Sequence, residues 1–375
     1  MEPHRWVGTG RIVFNNKGNP VKQYEPYFSI THQFEDDLQI VQIGVSPEIF
    51  YDALGRNIKT VMPDGTFTKV VYHPWHQELW DAGDTVIDSA WYSTRQALGI
   101  VDPYHPDYIA SEKSKAYANT PQLIYFDNLG RPVCNQEHIF NDPDDIDDVF
   151  VYTQLKLDIE GNLMNVIDGL DRECMAFKYN MLGQRLYQTH IDSGERWNMT
   201  NAMGKPLWQL NSKGTIFTFT YDVLNRPLDF IADDGVSSIT YQKMQYGEGE
   251  INAHLHNLNG KLLDLRDGSG EQGFKEYDFK GNALYVSKGF VEVVGNLPDW
   301  SSAVDMASGG LNSITLYDAL NRPITIDAGD KTTKYTYNEA GLPETVIVDD
   351  GSDNLIVENI SYNAKGQREF IGFGN

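Results

Sequence analysis

The chain has few cysteines and few basic residues. Its two cysteines, Cys134 and Cys174, exclude a disulfide-dense scaffold and a multi-cysteine zinc framework. Lys and Arg total 30 against 53 Asp and Glu, a formal net charge of −23. Nucleic-acid binding needs clustered Lys and Arg, so no nucleic-acid partner is expected, and an anionic membrane surface fits no better. No run of 18 apolar residues occurs, so no transmembrane segment is expected. The opening MEPHRWVGTG lacks the apolar stretch of a signal peptide. What is present is a hydrophobic fraction of 41%, enough to argue against disorder. There are also 33 glycines and 21 tyrosines, which suggest many turns and many strands.

The chain repeats itself. The word YDALGR at Tyr51–Arg56 returns as FDNLGR from Phe126, YNMLGQ from Tyr179, YDVLNR from Tyr221, YDFKGN from Tyr277 and YDALNR from Tyr317. YNEAGL follows from Tyr337 and YNAKGQ from Tyr362, with weaker copies from Phe14, Leu157, Thr200 and His256. Gly161, Gly183, Gly204 and Asn225 follow one another at intervals of 22, 21 and 21 residues. A second turn signal, such as Gly65, Asp171, Gly194, Gly214, Gly235, Gly329 or Gly351, falls about midway. A reversal about every ten residues points to an all-β arrangement.

The word has a physical reading. Tyrosine ends a strand, where an aromatic with a polar tip suits a half-wet face. Asp or Asn opens a type I turn and accepts from the backbone two residues on. The fifth residue takes the left-handed conformation, which glycine adopts freely and asparagine tolerates best among the others. The structural turn positions are therefore Gly55, Gly130, Gly161, Gly183, Gly204, Asn225, Gly260, Gly281, Asn321, Gly341 and Gly366. Proline often follows, as at Pro132, Pro206, Pro227 and Pro323, where a strand start needs no donor. Between turns, TIFTFTY at Thr215–Tyr221 sets Phe217, Phe219 and Tyr221 opposite Thr218 and Thr220, a period of two.

Two stretches break the pattern, within one repetitive sheet region spanning residues 1–375. An insertion is expected over 68–122, with helices at about 88–98 and 107–118 and Asp107 as N-cap of the second. A minor insertion is expected over 290–312, with a weaker helix at Pro298–Ala307. Asn141–Asp148 (NDPDDIDD) reads as an acidic loop.

No chemistry-bearing motif emerges. His73 and His76 in HPWH, with Asp81 and Asp84 nearby, are metal-like residue types, but HxxH beside Pro74 lacks a helical setting. Loop packing is the expectation there. Trp75, Trp80 and Trp91 are expected to anchor the insertion, with sugar stacking as the lesser alternative. The run containing Asp142, Asp144, Asp145, Asp147 and Asp148 misses the EF-hand register, with Ile146 at position five and Asp147 at position six. Cys134 and Cys174 lie 40 residues apart with no CxxC. GSGEQG at Gly268–Gly273 falls at a half-repeat turn rather than before a helix. No catalytic, cofactor-binding or metal residues are assigned, no cofactor is expected, and the chain is not expected to be an enzyme.

The words YDALGR, YDVLNRP and YDALNRP at this spacing resemble the YD repeat of RHS-repeat proteins. The blocks Arg5–Ser29, Phe50–Phe67 and Pro74–Val86 are similar to the RHS region of the B component of bacterial insecticidal Tc toxin complexes. The resemblance runs from about Arg5 to Asn375. It implies an antiparallel β-meander curling into part of a hollow shell, with small helical insertions. It also implies containment of a C-terminal effector polypeptide, with the remaining RHS shell and a toxin-complex translocation component as partners, secreted or at the cell surface. The family's core-ending segment and variable effector domain are not found, so a fragment or one part of a split shell is expected. The alternative is an extracellular carbohydrate- or cell-surface-binding repeat module. Physics agrees on the curl: a sheet of far more than about ten strands curls or splits.

Overall fold

The computed structural model describes residues 6–35, 46–139, 149–293 and 295–374. The acidic loop expected at Asn141–Asp148 lies outside them. Contacts divide the chain into two compact units, Met1–Lys178 and Tyr179–Asn375.

In the first unit the strands form an antiparallel meander. Ile12–Phe14 pairs with Pro20–Gln23, which pairs with Glu48–Tyr51. Asn57–Val61, Phe67–Tyr72, His76–Trp80, Gln122–Phe126 and Pro132–Ile139 follow in turn, each beside its predecessor. Val149–Leu157, Leu163–Ile167 and Glu173–Tyr179 complete it. A separate pair, Trp6–Gly8 with Tyr27–Ser29, stands apart.

The break in the repeat word does not break the sheet. The insertion was expected from residue 68, yet Phe67–Tyr72 and His76–Trp80 are ordinary neighbours in the meander. Their hairpin closes through Pro74–Trp75, with the His73 N–H donating to the His76 carbonyl at 2.9 Å. That turn needs no left-handed glycine, so the word disappears while the strands persist. The insertion proper is 81–121, because Gln77 on one flank pairs with Ile124 on the other. It carries α1 (Ala90–Val101) and α2 (Pro106–Ser114). Ser89 rather than Asp88 begins α1, its hydroxyl accepting from the Tyr92 N–H. His105 rather than Asp107 caps α2, and Pro106 sits in its first turn, where no N–H is missed. The Gly65 carbonyl accepts from the N–H groups of Ala90 and Trp91, tying α1 to a half-repeat turn.

In the second unit the meander runs without omission from Arg185–His190 to Arg368–Phe373. The helix expected at Pro298–Ala307 is absent. That segment is pinned to strands instead: the Trp300 N–H donates to the Thr240 carbonyl and the Trp300 indole to the Asp267 carbonyl. The Asp299 carboxylate also accepts from the Thr240 N–H. These bonds fix the start of the segment to the strands that carry Thr240 and Asp267, and this tertiary pairing overrides a weak local helical pattern. Residues 247–261 form a second small elaboration that the repeat pattern concealed, with 3-10 turns at Gly247–Gly249 and Ala253–His256. It covers a small cluster of Ala253, Leu258, Leu263 and Tyr277.

Burial is thin. Among the described residues nine hydrophobic side chains are buried, four in the first unit and five in the second. The accessible surface of 24106 Å² compares with roughly 15,000 Å² for a compact protein of this mass. Most strand residues are half-buried on both faces. The meander is therefore largely a single layer.

Candidate functional site

The most extensive polar constellation is the turn word itself. At Asp52 the carboxylate Oδ1 accepts from the N–H groups of Leu54 (2.9 Å) and Arg56 (3.0 Å), and Oδ2 accepts from the Arg56 Nε–H (2.7 Å). The same cage recurs at Asp127–Arg131, Asp168–Arg172, Asp222–Arg226 and Asp318–Arg322. At Asp52, Asp127 and Asp318 the backbone N–H of the arginine, reinforced by its guanidinium, holds the carboxyl below its ordinary range. Asparagine replaces aspartate at Asn180, Asn201, Asn338 and Asn363, keeping the backbone acceptor and losing the charge. Every assigned turn position, from Gly55 to Gly366 and including Asn225 and Asn321, has positive φ, between 60° and 96°.

Several words also grip the one before them. The Tyr221 hydroxyl donates to the Pro206 carbonyl at 2.7 Å, Tyr337 to Pro323 at 2.7 Å, Tyr362 to Pro343 at 2.7 Å and Tyr51 to Pro20 at 2.8 Å. Where the earlier word ends in arginine, that arginine can lie over the clamping ring, at 4.3 Å for Arg322 on Tyr337 and at 4.0 Å for Arg226 on Tyr246, whose hydroxyl donates to the Pro227 carbonyl. The half-wet tyrosine inferred from sequence thus has a stated partner. That partner lies 14–31 residues away, beyond the reach of a local pattern.

A second constellation lies at the hairpin of the first unit. His73 and His76 face each other across the two-residue turn, their rings stacked with centroids 4.2 Å apart. Glu78, two residues on, shares their face of the sheet. Its Oε1 lies 3.1 Å from His73 Nε2, and its Oε2 accepts from the Trp80 indole at 2.9 Å. The indole bond, with His73 next, holds the Glu78 carboxyl below its ordinary range. Asp81 and Asp84 do not join this group. They cap one another's N–H groups, and Asp84 also accepts from the Thr120 hydroxyl. Glu78 was missed in the sequence because the HPWH word draws attention to spacing, whereas strand parity selects the third member.

The other sequence candidates resolve simply. Trp75 is exposed at the hairpin tip, Trp80 lies under the Lys69 ammonium at 3.7 Å, and Trp91 lies under Arg95 at 4.1 Å. Cys134 and Cys174 are free and partly buried, and burial pushes the Cys134 thiol up. In GSGEQG the Ser269 N–H is taken by the Asp267 carboxylate at 2.8 Å, and Gly270 already pairs with Asp267 and Phe290. That leaves a strand turn and no phosphate cradle. The second unit also holds a concave region of about 560 Å³, lined in part by Arg185, Tyr187, Gln188, Trp197, Gln209 and Phe217.

Residues 317–353 match the RHS repeat family, a stretch that contains the Asp318–Arg322 and Asn338–Leu342 turns. Among curated proteins nothing matches. The fold is similar to that in the crystal structure of TcdB2–TccC3, with TM-score 0.83 and 21% identity over 98% of this chain. It is also similar to the Photorhabdus luminescens Tc holotoxin pore carrying a TccC3 substitution, with TM-score 0.85 and 22% identity over 99% of this chain. TcdB2–TccC3 without its hypervariable C-terminal region gives 0.84 and 22% over 100%. The chain spans 17–18% of the length of these relatives. Residues 317–353 thus carry an RHS repeat, and the chain has, along nearly its whole length, the antiparallel β-meander fold seen in these Tc toxin components.

Proposed function

We propose that this chain is a wall segment of a toxin-associated RHS shell whose inner face surrounds an effector polypeptide. Its partners in this reading are the rest of the shell, the enclosed effector and a translocation component of the toxin complex, and its setting is secreted or cell-surface. Its work is containment rather than catalysis. The observation that carries the reading is the thin sheet: a long meander with half-wet faces and about half again the surface of a compact chain. A wall needs both faces, one toward cargo and one toward solvent. The turn cages and tyrosine clamps give such a layer its stiffness without a thick core.

Small-angle scattering of the purified chain tests the wall. A radius of gyration clearly above the roughly 21 Å of a compact chain of this length is expected. A value near 21 Å with the profile of a dense sphere sinks the reading. A second arm tests containment. The chain is co-expressed with the polypeptides encoded beside it and the purified assembly is treated with protease. An effector that resists cleavage until the assembly is denatured supports enclosure, and one cleaved at the rate of the free polypeptide removes it.

A further inference from the structure

We propose that His73, His76 and Glu78 form a binding site for a divalent transition metal of the zinc class, independent of any role in containment. Their ligand atoms all lie within 4.8 Å of one another. Two imidazoles and one carboxylate are a donor set that zinc accepts, with a fourth position left to water. A tetrahedral zinc at ordinary bond lengths sets its ligand atoms ~3.3 Å apart. His73 Nε2 and Glu78 Oε1 already stand at 3.1 Å. Only His76 has to move inward, through its side-chain torsions, to complete the set.

The backbone supports this grouping. His73 and His76 are locked opposite each other by the hairpin hydrogen bond. Glu78 is held on the same face by strand parity, in register with Val71. His76 and Glu78 sit on the strand His76–Trp80 and His73 directly follows the strand Phe67–Tyr72, so the ligands are held by a paired hairpin, which fixes their positions tightly. The Trp80 indole supplies the outer hydrogen bond that orients the carboxylate and leaves Oε1 for the metal. Among the described residues His76 makes ring contacts with His73 and Tyr125, and its ring nitrogens have no hydrogen-bond partner. A carboxylate and two rings packed this closely bring together donors whose mutual contacts use little of their bonding capacity. A metal would use it fully.

The test is titration of the full chain, first treated with chelator, with Zn²⁺ alone by calorimetry. The wild type should bind one more equivalent than the His73→Ala/His76→Ala double variant. Glu78→Gln should weaken that equivalent by about tenfold or more, and Trp80→Phe by a smaller factor. Co²⁺ in place of Zn²⁺ should give the intense visible bands of a four-coordinate site in the wild type and lose them in the double variant. Urea unfolding in chelator verifies that the variants fold as the wild type does. Because the hairpin tip is exposed, they should. Equal stoichiometry and affinity in wild type and double variant overturn the proposal. So does a wild type that takes up no Zn²⁺ at micromolar concentration, or a Co²⁺ spectrum no stronger than the hexa-aqua ion.

Discussion

The turns at Asp318–Arg322 and Asn338–Leu342 are one repeat apart and share a backbone. In both, the first residue's N–H donates to the fifth residue's carbonyl at 2.9 Å, and its carbonyl accepts from the fourth residue's N–H. In both, its side-chain oxygen accepts from the fifth residue's N–H at 3.0 Å. They differ in what is layered on that frame. Asp318 adds the guanidinium of Arg322 at 2.7 Å, and that guanidinium covers Tyr337, which ends the strand Thr332–Tyr337 and opens the next word. Asn338 has Leu342 in the arginine's place and no such reach. The left-handed residue differs as well, Asn321 in one and Gly341 in the other. An uncharged oxygen and a left-handed fourth residue thus suffice to make the turn. The charge serves the contact between words.

The largest effect should come from breaking what the two turns share. Gly341→Val forces a β-branched residue to φ 80°, which costs about 1–2 kcal/mol. It also brings a new Cβ within 3.2 Å of an Arg322 guanidinium nitrogen, so the damage reaches the neighbouring turn. Urea unfolding should show a lowered midpoint. An unchanged midpoint would mean that the left-handed position carries no strain. The same substitution at Gly183 or Gly281 should behave alike.

A smaller effect should come from removing what only one turn has. The Asp318 carboxyl is held below its ordinary value of 3.8, chiefly by the Arg322 N–H. A group whose folded pKa is depressed contributes stability above its unfolded pKa and loses it as pH falls through the folded value. Asp318→Asn should therefore lower the unfolding midpoint at pH 7 and make less difference below pH 3.8. Asn338 has no ionisable group, so Asn338→Gln at the neighbouring turn should show a pH-independent loss. A constant gap between wild type and Asp318→Asn from pH 7 to pH 3 would refute the assignment of the charge.

Much of this was legible because it is local. The second residue of the word, Asp or Asn, and the fifth, Gly or Asn, determine the turn within six positions, and the φ values of the left-handed residues follow from glycine or asparagine alone. The strand alternation around Phe217 and Phe219 was equally local. What was hidden depends on register. Tyr337 finds Pro323 only once the strands are paired, and Glu78 joins His73 and His76 only because strand parity sets all three on one face. The failed helix at Pro298–Ala307 has the same cause. Its pattern was permissive, but Thr240, about sixty residues earlier, claims the backbone of Trp300 and the side chain of Asp299. The sheet at 67–80 shows the converse: losing the word removed a sequence signal and left the structure intact.

The smallest effect is expected at the left-handed asparagine, Asn321. Asn321→Gly makes the two turns alike at their fourth residue. Glycine adopts the left-handed region more readily, which favours the variant by a few tenths of a kcal/mol. It also frees more conformations in the unfolded chain, which opposes the gain. Against it stands one specific loss, because Asn321 Oδ1 accepts from the Asn282 side chain of the preceding word at 3.0 Å. That bond is exposed, so its net worth is about 0.5 kcal/mol or less. The sum is a change within about 0.5 kcal/mol of zero. Asn282→Ala should then cost less in Asn321→Gly than in the wild type, because in both it removes the bond to Asp278 at 2.8 Å but only in the wild type the bond to Asn321 as well. A double-mutant cycle that instead finds the two substitutions additive would show that asparagine was placed there for its backbone alone, and that the words are coupled only through arginine and tyrosine.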